Sequence, residues 1–212
     1  MVIFNIFFSF ITCRKKRFIY NSPPMNYMDG RIANVEVALL EIIKEKNETS
    51  GYEVRRIIEE RGYKEWANIG KTSIYVGIKK LEKKGLITVN SLQKKKGKGP
   101  LPNKINLTKL GEKVVVEEIK KALLSQKNLP LYYLGIAGIR LINKDSALEI
   151  LKRREISNLK IIEKINEIFK GKGGDSLPLE AKALFEHPIS LIKSDNQFLM
   201  KFIKELKDEK NG

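Results

Sequence analysis

Apolar positions recur at helical spacing through the first half of the chain and then change period. Val35, Leu39, Ile42 and Ile43 lie on one side of a helix over residues 35–46. The polar stretch Asn47-Glu48-Thr49-Ser50 breaks that pattern, and Ser50 is placed to cap a second helix over 51–61. Its inner face is Val54, Ile57 and Ile58, and Gly62 supplies the stop. Residues 63–70 read as a connecting loop that holds the single tryptophan, Trp66. A third helix over 71–84 buries Ile74, Ile78 and Leu81 and ends at Gly85.

Beyond Gly85 the period shortens. Leu86-Ile87-Thr88-Val89 is rich in β-branched residues and reads as a strand. Residues 93–102 (QKKKGKGPLP) are lysine, glycine and proline, which form a loop. Residues 104–107 make a second short strand, and Thr108 caps a fourth helix reaching about Ser125. Three helices, a two-stranded hairpin and a fourth helix make a winged helix, with helix three as the major-groove candidate and the inter-strand loop as the wing.

After a polar linker at 126–130, helical patterns cover residues 131–142, 145–169 and 179–206. Leu148, Leu151, Leu159, Ile162, Ile165 and Phe169 form an imperfect heptad-like stripe. With only two short neighbours such a stripe is not easily covered within one chain, so pairing with a second copy is the natural solution; an intramolecular bundle is the other. Gly171–Gly174 reads as a turn, and Pro188 should kink or restart the last helix. The fold class is therefore mostly α. A winged helix-turn-helix domain at 31–125 precedes a C-terminal helical dimerisation region at 131–212.

Composition narrows the chemistry. The 212 residues are 42% hydrophobic and 31% charged, which is the make-up of a globular chain. One cysteine (Cys13) and one histidine (His187) exclude zinc fingers, Ser-His-Asp triads, Cys-His pairs and His-rich metal sites. No acid pair, metal cluster or nucleophile–base pair stands at workable spacing, so no enzyme and no cofactor is expected. Gly70-Lys71-Thr72 resembles the end of a phosphate loop, but Glu65 stands where that loop needs glycine and no strand precedes it. His187 beside Pro188 reads as a packing residue. Trp66 packs on the core, or else touches DNA or a ligand.

The net charge is +16, and it is concentrated: residues 69–104 carry ten lysines against one acid, Glu82. A field this local attracts polyanions, nucleic acid before anionic membrane; a solvated lysine-rich surface is the bland alternative. On helix three the exposed face comprises Lys71, Thr72, Ser73, Tyr75, Lys79 and Lys80, with hydroxyls for phosphates or base edges and lysines for phosphates or guanine. Lys94, Lys95, Lys96 and Lys98 on the wing would lie along a phosphate backbone or enter the minor groove.

Residues 2–11 are apolar but too few to span a bilayer, and their positive charges (Arg14, Lys15, Lys16, Arg17) follow rather than precede them, unlike a secretory signal. Residues 1–30 read as a dispensable extension with Met25 or Met28 as alternative starts, or as a short interfacial anchor. No stable membrane insertion is expected, and the location is cytoplasmic.

Residues 38–111 resemble the PadR family of winged-helix regulators. The resemblance is carried by Ala38-Leu39-Leu40, Gly51-Tyr52-Glu53, Ser73-Ile74-Tyr75, Leu81-Glu82-Lys83-Lys84-Gly85-Leu86-Ile87, Gly99-Pro100 and Leu107-Thr108-Lys109-Leu110-Gly111, in that order. It implies a dimeric repressor whose C-terminal helices form the dimer contact and whose third helix reads a roughly palindromic double-stranded operator. Ser73 and Tyr75 match family positions near DNA, and the wing lysines stand for the family's basic wing. It also implies a small aromatic or hydrophobic effector, or another signal. Ile105-Asn106 replaces the family's aromatic pair, and no residue is assigned to an inducer pocket. Two alternatives stay open on the residues alone: a nonspecific nucleic-acid-binding architectural protein on the same fold, and an anchored protein whose winged helix contacts protein.

Overall fold

The computed structural model describes residues 32–91 and 103–209. The chain divides into two units, Met1–Gly30 and Arg31–Gly212; all described residues belong to the second.

Helix α1 runs Asn34–Lys46 and is the hub of the core. Every residue from Glu36 to Ile43 is buried, because α1 is packed by other elements on more than one side. Its first turn is closed by Glu36, whose carboxylate accepts from the Ala33 amide at 2.7 Å. Helix α2 runs Gly51–Glu60 and buries Val54, Ile57 and Ile58. Ser50 caps it as expected, its hydroxyl accepting from the Glu53 amide.

The expected loop after Gly62 is instead a one-turn helix, α3 (Tyr63–Ala67). Gly62 and Asn68 adopt left-handed conformations at its two ends, and Tyr63 and Ala67 are buried. Five residues are too few to show a helical period, so this element was hidden from pattern reading. Trp66 packs on the Tyr63 ring, 4.3 Å between centroids, and its indole N–H donates to the Arg61 carbonyl.

Helix α4 runs Lys71–Lys83. Strands β1 (Ile87–Ser91) and β2 (Asn103–Leu107) follow and pair antiparallel, with Ile87 opposite Leu107 and Ser91 opposite Asn103. Thr49, in the polar break before α2, bridges to Ile105 with both backbone hydrogen bonds, adding a third chain segment to the hairpin. Helix α5 (Lys109–Leu123) is capped by the Thr108 hydroxyl, which accepts from the Gly111 amide. These elements form a winged helix, and the chain is mostly α.

Helix α6 (Leu129–Ala137) starts within the expected linker, because Pro130 occupies its first turn, where no backbone donor is needed. A short 3₁₀ turn, Ile139–Leu141, leads into α7 (Lys144–Gly171). Helix α8 (Leu179–Asp208) packs back along α7. Two expectations fail here, a short neighbour for α7 and a packed His187. The neighbour of α7 is not short, since α8 has 30 residues. Of the two effects expected of Pro188, a kink or a restart, the restart is absent: α8 is continuous through it. His187 is exposed rather than packed, because this part of α8 has only α7 beside it.

Candidate nucleic-acid interface

Helix α4 is divided cleanly into a buried and an exposed face. Ile74, Gly77, Ile78 and Leu81 are buried. Gly77 permits the approach to α1: a Cβ there would stand 2.6 Å from Leu39 Cδ1. At about 100° per residue, the direction opposite this buried face is held by Thr72, Val76, Lys79 and Lys83. All four are exposed. Lys71 and Tyr75 lie toward one flank, Ser73 and Lys80 toward the other.

The sequence-predicted residues therefore take different places. Thr72 and Lys79 are central. Lys80 is exposed beside a shallow groove of about 370 Å³ that it shares with Ala33, Val35, Thr72 and Val76. Neither Lys79 nor Lys80 makes an ion pair among the described residues. Ser73 is only half exposed, and its hydroxyl donates to the Gly70 carbonyl at 2.6 Å, so it closes the helix start as well as facing outward.

Lys71 is engaged: its ammonium lies 3.1 Å from Glu59, which also accepts from Arg55 Nε at 2.9 Å. The two cations hold the Glu59 carboxyl below its ordinary value, Arg55 contributing most. Arg55 is raised in turn, chiefly by Glu59 and then by a hydrogen bond with Tyr75. One carboxylate thus holds Arg55 and Lys71 along the edge of α4, and Arg55 in turn meets Tyr75. Lys94, Lys95, Lys96 and Lys98 lie outside the described residues.

The base of α4 is anchored to α1. Lys84, at its C-cap, donates to both oxygens of the buried Glu36 at 2.9 and 3.0 Å. That fixes the tilt of the exposed face against the core. Pattern reading missed Val76, Lys83 and Arg55. Val76 is apolar, so its residue type does not mark it as a site residue, although its place opposite Ile74, Ile78 and Leu81 follows from spacing alone.

Residues 39–117 match the Transcriptional regulator PadR-like family. The winged helix is PadR-like. The PadR-like segment runs from within α1 to within α5 and contains the whole exposed face of α4. The family is one of transcriptional regulators, not enzymes. Bacillus subtilis PadR, solved in complex with operator DNA, is 16% identical, with 82% of this chain and 99% of that chain covered at a TM-score of 0.36. The PadR-like regulator BC1756 from Bacillus cereus is 13% identical, with 83% and 99% covered and a TM-score of 0.35. The protein smu.1604c from Streptococcus mutans is 22% identical, with 79% and 98% covered and a TM-score of 0.34. No curated protein matches the chain.

Proposed function

We propose that this chain is a sequence-specific, DNA-binding transcriptional regulator that acts as a homodimeric repressor. The observation that carries the reading is the outward stripe of α4, Thr72, Val76, Lys79 and Lys83, standing free of the core on a helix of a PadR-like winged helix. A recognition helix needs such a face to enter a major groove, and the lysine density of residues 69–104 supplies the attraction to phosphate. The wing lysines Lys94, Lys95, Lys96 and Lys98 add affinity on charge grounds and little sequence preference.

In this reading residues 31–125 carry DNA binding and residues 131–212 carry pairing. Support for pairing comes from the far half of the α7–α8 hairpin. Beyond Asn158 no residue of α7 is fully buried, and on α8 none is until Asn196. Leu159, Leu179, Leu184 and Leu191 are exposed. Two helices alone cannot enclose such stripes; a second hairpin completes a layer against them. Control by a small-molecule or other signal belongs to the same reading on the strength of the family match, with no residue assigned to it. The setting proposed is the cytoplasm, where such a regulator meets its operator. Among the described residues no helix is long and apolar enough to cross a membrane.

The test is selection of genomic DNA fragments by the purified full chain at near-physiological salt. Enrichment of an inverted repeat with half-sites about one helical turn apart supports the reading. Binding without enrichment that disappears as salt rises overturns it in favour of a nonspecific architectural role.

A further inference from the structure

Val76 is the one apolar side chain on the outward stripe of α4. It is 49% exposed, one turn after Thr72 and one turn before Lys79 and Lys80. Its side chain is half open to solvent and half covered at the rim of the groove that it shares with Ala33 and Val35, and valine is a weaker helix former than the straight-chain residues, so the helix itself does not favour it there. Ile74, Gly77, Ile78 and Leu81 already complete the packing face. Its surroundings on the stripe, a hydroxyl and lysines, suit a polyanion rather than an apolar protein surface.

In the major groove, the apolar group that a base edge presents is the thymine C5-methyl; the other positions there are hydrogen-bond donors and acceptors. An apolar side chain at the centre of a groove-facing helix, flanked by groups for phosphate and polar base atoms, matches that one feature. We propose that Val76 is a specificity-determining residue that reads a thymine methyl in each half-site. The assignment rests on the DNA-binding reading above. Thr72 and Lys79, on either side of it along the helix, set its register through polar contacts.

The experiment uses the full chain and the inverted repeat obtained by selection. Each thymine of one half-site is replaced in turn by uracil, which removes the methyl and leaves base pairing and backbone intact. At one position affinity falls roughly fourfold, the loss for one buried methyl group. Val76→Ala binds the unmodified repeat about that much more weakly and is indifferent to uracil at the same position, while its thermal melting changes little because the side chain is half exposed. Equal binding of every uracil-containing repeat by the unaltered protein overturns the proposal, as does a variant that keeps the full uracil penalty. In both cases a repeat has been selected, so the DNA-binding reading survives. Selection that enriches no repeat removes both.

Discussion

The guanidinium of Arg154 lies over the ring of Tyr132, 3.7 Å from its centroid. Arg154 is 5% exposed and sits where three parts of the fold meet. From α7 it donates to the carbonyls of Leu123 and Ser125 at the end of α5, and to Asp195 of α8. Asn158, one turn on, donates to Asp195 and Asn196 and accepts from Gln126. The winged helix is thus tied to the long hairpin through one planar cation. A planar fork that stacks and donates in several directions is not replaced by an ammonium.

Arg154→Ala is therefore expected to destabilise the fold by about 3–5 kcal/mol, since it removes the counter-charge of Asp195, leaving it the Asn158 amide, and takes a buried donor from the carbonyls of Leu123 and Ser125. Arg154→Lys should recover less than half of that loss. Urea unfolding measures both, and full recovery by lysine would show that charge alone suffices.

Glu41 produces a pH dependence of opposite sense to that of an ordinary paired carboxylate. It is 3% exposed, and neither oxygen has a hydrogen-bond partner among the described residues. Gly138 lies against its carboxyl group, and burial pushes its pKa well above 4.5. Tyr63 faces it from α3 and is itself pushed up to about 12, first by burial and then by the Glu41 charge, so it stays neutral. The folded state holds the Glu41 proton more tightly than the unfolded chain does. Its contribution is complete below about 4.5 and is lost as pH rises through the raised folded value. Glu41→Met is expected to stabilise the protein by about 1–3 kcal/mol at pH 7 and to flatten this decline. Thermal melts from pH 5 to 8 measure it, and an unchanged slope in the variant would exclude Glu41 as the source.

Glu59 restrains two cations at the edge of α4. Glu59→Gln releases Arg55 and Lys71 and removes a negative charge from the surface proposed to face phosphate. Fold stability should hardly change, because exposed pairs contribute little. Binding to arbitrary duplex DNA should strengthen severalfold and depend more steeply on salt, narrowing the margin over the selected repeat. Fluorescence titration at several salt concentrations reads both changes, and unaltered nonspecific binding would place Glu59 away from the DNA.

Leu191 is 60% exposed on the far half of α8. Leu191→Lys should leave the monomer's helical content intact and weaken pairing at least tenfold, since a charge is then buried in an apolar contact. Sedimentation velocity across a dilution series measures the association. A dimer as tight as that of the unaltered chain would move the pairing surface elsewhere.

Much of the fold was legible because its signals are local. Ser50 and Thr108 announced two helix starts through their hydroxyls, and both act as caps. Ile74, Ile78 and Leu81 announced the buried side of α4, and with it the side left to solvent. What stayed illegible lacks a period or depends on distant partners. Helix α3 is shorter than two turns, and Thr49 joins the hairpin only through Ile105, far along the chain. Pro188 reads as a kink or a restart, yet α8 is continuous through it and packs against α7.

The sequence by itself determined which side of each helix is apolar, where the lysines gather and which chemistry is absent, because residue type and spacing settle those locally. Only the tertiary structure decided that Lys71 is held by Glu59, that Ser73 closes the start of α4, and that Glu41 is buried without a hydrogen-bond partner among the described residues. Each of these depends on which segments the packed core brings together, and a one-dimensional pattern carries no distance between segments.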